Sequence, residues 1–288
     1  MKLIALDLDG TTFNSKHEIS RENLEAIQEA QEQGHKVMVL SGRALDEIKP
    51  DLEKYELRCP IGANNGASLY IRNQVVHMIP MQADQINKIA LELDKEFIPY
   101  RVTTNKGVFT PKDYIQRLEK VLTAEDAKEK LEMYKAFSQR YGHQLINQID
   151  DILNDQSISI QKYFVYTLDP IQKTRFESFL NSIDDLYIAS TPLFMDIMHH
   201  QASKGNALKY MAEYFNIPHK DTVAIGDEVN DITMFNMAGL SIAMGNASEQ
   251  VKKHSDVVTL TNDEHGVAYA INNYVLNEKY SFYENDNL

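Results

Sequence analysis

Cysteine is almost absent from this 288-residue chain: Cys59 stands alone, so no disulfide can form within it. That usage points to a reducing compartment. A single small apolar residue beside a strand reads as core. Long hydrophobic runs are missing too, and nothing approaches the ~20 apolar residues of a membrane span. After Lys2 only the four apolar residues Leu3–Leu6 precede Asp7, too few for the core of a signal peptide. A cytoplasmic protein without a membrane partner is therefore expected. Basic charge is also short, with 29 Lys and Arg against 42 Asp and Glu and a net charge of −13. Such a surface argues against nucleic acid, whose phosphates recruit basic faces. Small anionic substrates stay open, because a site can be locally positive on a negative protein. There is no internal repeat and no low-complexity tract. Apolar residues at 43% and charged residues at 25% are those of a globular protein, and the length accommodates two domains.

The first 80 residues alternate strand and helix. Lys2–Leu6 reads as a buried strand, and Ser20 opens a helix to about Gln33 with Leu24, Ile27 and Ala30 at helical spacing. Ser20 is its N-cap and Gly34 its stop. Lys36–Leu40 and Pro60–Ala63 read as further strands, and residues 68–79 as a hairpin about Arg72-Asn73-Gln74. From Gln82 the texture changes: helices over Gln82–Glu96 and Glu125–Arg140, a long alternating strand over Ser157–Thr167, a helix after Pro170, and a short strand at Tyr187–Ala189. Alternation resumes with Met195–Met198, a helix from Lys204, Thr222–Ile225, a helix from Asn230, and Leu240–Ala243. The expectation is an α/β fold in which a parallel core, 1–81 and 191–288, is interrupted by an inserted domain over 82–190. The polar tail Tyr280–Leu288 either frays or packs against a partner.

Four strand ends of the parallel part carry distinctive polar groups. The first is Asp7-Leu8-Asp9-Gly10-Thr11-Thr12, in which Asp7 and Asp9 at i and i+2 should share a face. Their repulsion at ~4 Å is about 4 kcal/mol at an effective dielectric near 20, a large fraction of a fold's net stability. A cation or a shared proton would relieve it. The second is Ser41-Gly42-Arg43, a hydroxyl and free amides ahead of a helix, which suits an oxyanion or simply caps the helix. The third is Lys204, and the fourth is Gly226-Asp227-Glu228-Val229-Asn230-Asp231. In open α/β sheets, groups at the carboxyl ends of strands meet in one crevice.

These four motifs, in this order across nearly the whole chain, resemble those of the haloacid dehalogenase superfamily, and in particular its Cof-like phosphatases. The resemblance implies a Rossmann-like parallel-sheet core with an inserted α+β cap that sets substrate choice. It implies Asp7 as nucleophile forming an aspartyl-phosphate and Asp9 as general acid and base. It implies Mg2+ held by Asp7, the Asp9 carbonyl and Asp227. Leu8 and Gly42 through their amides, Ser41, Lys204 and Asn230 would hold the phosphoryl oxygens. Asp231, Thr11 and Arg43 would support them, and Glu228 would either reach the metal through water or face solvent. Thr12 and Gln201 depart from the family pattern, where a bulky apolar residue and a glycine are common.

Two further features stand out. Asn64-Asn65-Gly66-Ala67 follows a core strand; it is either a tight turn or, as in the resembled family, a segment near the active site. His199 and His200 should point to opposite strand faces and so not share an ion. The leading expectation is a phosphatase acting on a small phosphorylated metabolite, such as a sugar phosphate. A phosphomutase and a non-catalytic phosphometabolite-binding regulator are the alternatives. No residue pattern singles out a substrate or an oligomeric state.

Overall fold

The computed structural model describes residues 1–122, 127–167 and 169–277. The tail expected to fray or dock lies outside the described residues. Two compact units emerge: Met1–Ser41, Pro50–Val76 and the chain from Ser203 form one, and Gly42–Lys49 with His77–Ala202 the other.

An eight-stranded sheet organises the first. Its strands are β1 (Leu3–Leu6), β2 (Lys36–Leu40), β3 (Ile61–Ala63), β4 (Ser68–Ile71), β5 (Gln74–Met78), β12 (Thr222–Gly226), β13 (Leu240–Ala243) and β14 (Val257–Val258). The order is β14-β13-β12-β1-β2-β3-β4-β5. Pairing is parallel from β14 through β3 and antiparallel from β3 to β4. All four residues of β1 are buried, as a central strand covered on both faces requires. Leu3 and Ala5 share one face with Met38 and Leu40 of the neighbouring strand. That face packs on Leu208 and Met211 of the helix Lys204–Tyr214. The helix Arg21–Glu32 forms as its signals predict, with the Ser20 hydroxyl accepting from the Asn23 N–H and Gly34 at φ +88 beyond its end. Arg72 and Asn73 both take positive φ, the backbone of a tight hairpin turn between β4 and β5.

The second unit holds a six-stranded sheet of β6 (Tyr100–Thr104), β7 (Gly107–Pro111), β8 (Gln144–Ile146), β9 (Ile160–Tyr166), β10 (Leu186–Ser190) and β11 (Phe194–His199), ordered β10-β11-β9-β6-β7-β8. Along β9 the side chains alternate. Tyr163 and Val165 enter a core with Ile89, Leu93 and Leu180, while Tyr166 meets Tyr114 and Leu118 on the other side.

One expected element sits elsewhere. The strand anticipated at Met195–Met198 forms, but it pairs antiparallel with β9 and β10 in the second sheet instead of extending the parallel one. Its alternation fits either sheet, and only its long-range partners decide. The hairpin β6–β7 and the helix Tyr114–Val121 occupy a stretch whose sequence shows little periodicity.

Candidate active site

The register of the parallel sheet assembles the site. Leu6 stands beside Ile225 on one side and Val39 on the other. The chain therefore leaves β1, β2 and β12 at one edge, and the Asp7 N–H still donates to the Ile225 carbonyl (3.0 Å). Just beyond, Gly10 turns the backbone at φ +76. A Cβ there would lie 2.3 Å from Asp227 Oδ2, so the loop admits the carboxylate only because this residue has no side chain. The Thr11 hydroxyl donates to Asp227 Oδ1 (2.6 Å), and the buried Thr12 hydroxyl donates to the Asp7 carbonyl (2.5 Å). Thr12, the departure from the family pattern, thus fastens the loop.

Lys204 is the first residue of its helix, whose N-cap Ser203 accepts from the Asn206 N–H (3.1 Å). Only 1% of its side chain is exposed, yet it is fully paired: Nζ lies 2.6 Å from both Asp7 Oδ1 and Asp231 Oδ1. The other oxygen of Asp231 accepts the N–H groups of Asp227 and Glu228 (2.9 Å each). Asp231 therefore ties the lysine to the loop after β12.

The electrostatics follow from this crowding. Burial lifts the Asp7 carboxyl well above the usual range; Lys204 opposes the shift, and Asp231, Asp227 and then Asp9 add to it. Asp9 is thus the smallest of these carboxylate neighbours, so the pair legible in the sequence is not the main conflict. Burial and Asp231 push Asp227 up to about 7 against the Thr11 hydrogen bond and Lys204. Lys204 is held charged, because Asp231 and Asp7 outweigh its burial. Three carboxylates crowded around one lysine, two of them reluctant to ionise, suit a hard divalent cation. Carboxylate oxygens of Asp7, Asp227 and Asp231 all lie within 4.8 Å of one another. Asp231 already accepts an ammonium and two backbone N–H groups, whereas Asp227 accepts one hydroxyl and, at 3.5 Å, the Asn246 amide. Asp7 and Asp227 are thus the less committed candidates for such an ion.

The other expected residues are distributed unequally. Asp9 is half-exposed, with His17 Nε2 3.8 Å from its carboxylate. Leu8 is buried. Ser41 is buried, its N–H donating to Gly62 and its carbonyl accepting from Asn65. Asn230 Nδ2 donates to Asn65 Oδ1 (2.9 Å). Glu228 is exposed and caps the short turn Val229–Asp231. Gly42 and Arg43 pack with the second unit, where the Gly42 carbonyl accepts from Lys162 Nζ.

Asn246 escaped sequence reasoning. Its Nδ2 donates to the Gly10 carbonyl (2.8 Å) and lies 3.5 Å from Asp227 Oδ2. Its position just past β13, at the carboxyl edge that carries the other loops, was the available signal. The rings of His199 and His200 lie 4.5 Å apart, against the expectation of opposite faces. β11 ends at His199, and the strand rule ends with it.

Comparison with known proteins agrees with this geometry. The profile of the haloacid dehalogenase-like hydrolase family matches residues 4–271. Phosphatase YwpJ of Bacillus subtilis (strain 168) is 32% identical over 279 residues, 93% of this chain and 98% of that protein. The 5-amino-6-(5-phospho-D-ribitylamino)uracil phosphatase YwtE of the same organism is 32% identical, covering 94% of this chain and 97% of its own. A haloacid dehalogenase-like hydrolase structure from B. subtilis superposes with a TM-score of 0.83 at 32% identity, covering 96% of this chain and all of the other. Among the described residues no helix is long and apolar enough to cross a membrane. The chain belongs to the haloacid dehalogenase-like hydrolase family and is an enzyme of its phosphatase kind.

Proposed function

We propose that this phosphatase is Mg2+-dependent and hydrolyses a small phosphorylated metabolite, a sugar phosphate or related phosphomonoester, through an aspartyl-phosphate. The buried chain Asp7–Lys204–Asp231, set beside Asp227, carries the reading. Asp7, the Asp9 carbonyl and Asp227 would hold the ion, which neutralises charge on the phosphoryl oxygens. Asp7 attacks phosphorus as the leaving oxygen departs with a proton from Asp9. Asp9, half-exposed and therefore open to solvent, then takes a proton from the water that releases phosphate. Lys204 offsets the negative charge that both steps gather. The Leu8 and Gly42 amides, Ser41 and Asn230 serve as the remaining phosphoryl contacts, with Thr11, Arg43, Glu228 and Asp231 in support. We assign the inserted 82–190 segment the family's cap role, selecting the leaving group.

Phosphate release from a panel of phosphorylated metabolites, with Mg2+ and with chelator, tests the reading. Release that requires Mg2+ is the expected result. Chelator-insensitive release would contradict the metal, and transfer back to substrate without free phosphate would favour a mutase.

A further inference from the structure

The turn after β3 touches three of the four motif loops. Its residues Asn64, Asn65 and Gly66 all lie in the left-handed region, at φ 53, 54 and 91. Such a run is unusual outside glycine, and asparagine tolerates it best. Strain of this kind persists where surrounding contacts hold it in place, and it concentrates at functional sites.

Here the contacts are visible. The Asn65 N–H donates to the Ser41 carbonyl (2.9 Å), fixing the loop after β2. Gly66 lies so close to the start of the lysine helix that a Cβ would sit 2.6 Å from the Ser203 carbonyl and 2.7 Å from Ala207 Cβ. Asn65, fully buried, accepts from Asn230 Nδ2 across 165 residues of sequence. The Asn230 Oδ1 is buried and has no hydrogen-bond partner. The bond to Asn65 takes one hydrogen of the Asn230 amide, whose nitrogen carries a second. A carboxamide turned over would instead present its oxygen, which repels a phosphoryl group.

We propose that Asn65 is a positioning residue of the active site, holding the Asn230 carboxamide so that its N–H faces the phosphoryl oxygens. Its turn also spaces the loops that carry Ser41 and Lys204. This rests on the assignment of Asn230 as a phosphoryl contact.

Asn65→Gly is the informative variant, because it keeps the left-handed backbone and removes only the side chain. Measured with Asn230→Ala and the double variant, kcat/KM should fall about tenfold in each single variant, the scale of one hydrogen bond. The double variant should be no worse than Asn230→Ala, since both act through one group. Inhibition by inorganic phosphate should weaken in parallel, while Asn65→Gly stays folded with a melting temperature lowered only by the loss of buried hydrogen bonding. Losses that multiply, full activity in Asn65→Gly, or an inert Asn230→Ala would each overturn the proposal. Phosphate release that survives Asp7→Asn would instead discredit the reaction assigned to the site.

Discussion

Lys204 Nζ lies 2.6 Å from Asp7 Oδ1 in a setting almost free of solvent, and Asp231 holds the same ammonium at the same distance. The lysine should therefore matter for stability as well as for charge. Without it, two buried carboxylates would lose the cation they share. Lys204→Met, similar in length, should destabilise the protein by about 3 kcal/mol in denaturant titration. It should also lower turnover by about 10³-fold. A variant as stable as wild type would show that the pair is not buried as described.

Metal affinity should depend on pH through Asp227. Its carboxyl is raised from 3.8 to about 7, so the folded state binds the proton more tightly than the unfolded one. The associated stability is complete below the usual carboxylate value and is lost as pH rises towards 7. Melting in chelator at a series of pH values should show that decline, and calorimetry should show Mg2+ binding more tightly across the same window. Metal affinity flat from about pH 5 to 8 would contradict the assignment.

Thr11→Val tests the hydroxyl that stabilises ionised Asp227 at 2.6 Å. Its loss should raise the Asp227 carboxyl further and move the onset of Mg2+ binding to higher pH. At neutral pH, affinity should drop about tenfold, the value of one hydrogen bond to a charged group. An unchanged binding profile would place the ion away from Asp227.

Gly10→Ala should be more damaging than its size suggests. The added methyl meets Asp227 Oδ2 at 2.3 Å, on a backbone with φ +76. About 1–3 kcal/mol of strain is expected, with metal affinity lost before the fold is, as melting with and without Mg2+ would reveal. Normal metal binding in this variant would mean the loop can move aside.

Three of the motifs were legible because each joins an apolar strand of the parallel sheet to polar turn residues. Asp7 and Asp227 could be singled out that way. Lys204 opens a helix after β11 of the second sheet and stood out only in company with the other three. The mutual contacts were not legible, since the Lys204–Asp7 contact spans 197 residues and Asn246 reaches Gly10 across 236. Strand β11 shows the same limit, because an alternating strand fits either sheet until its neighbours are known. The strand rule that paired Asp7 with Asp9 also weakened where β1 stops at Leu6, leaving Asp9 half-exposed and Asp7 buried.

Asp7→Asn tests the central claim most directly. The amide nearly matches the carboxylate in shape, and Asp231 still partners Lys204, so the variant should fold. With Mg2+ and the metabolite panel, phosphate release should fall by at least about 10³-fold while the melting temperature stays close to wild type. Release within about tenfold of wild type from that folded variant would show that Asp7 is not the nucleophile.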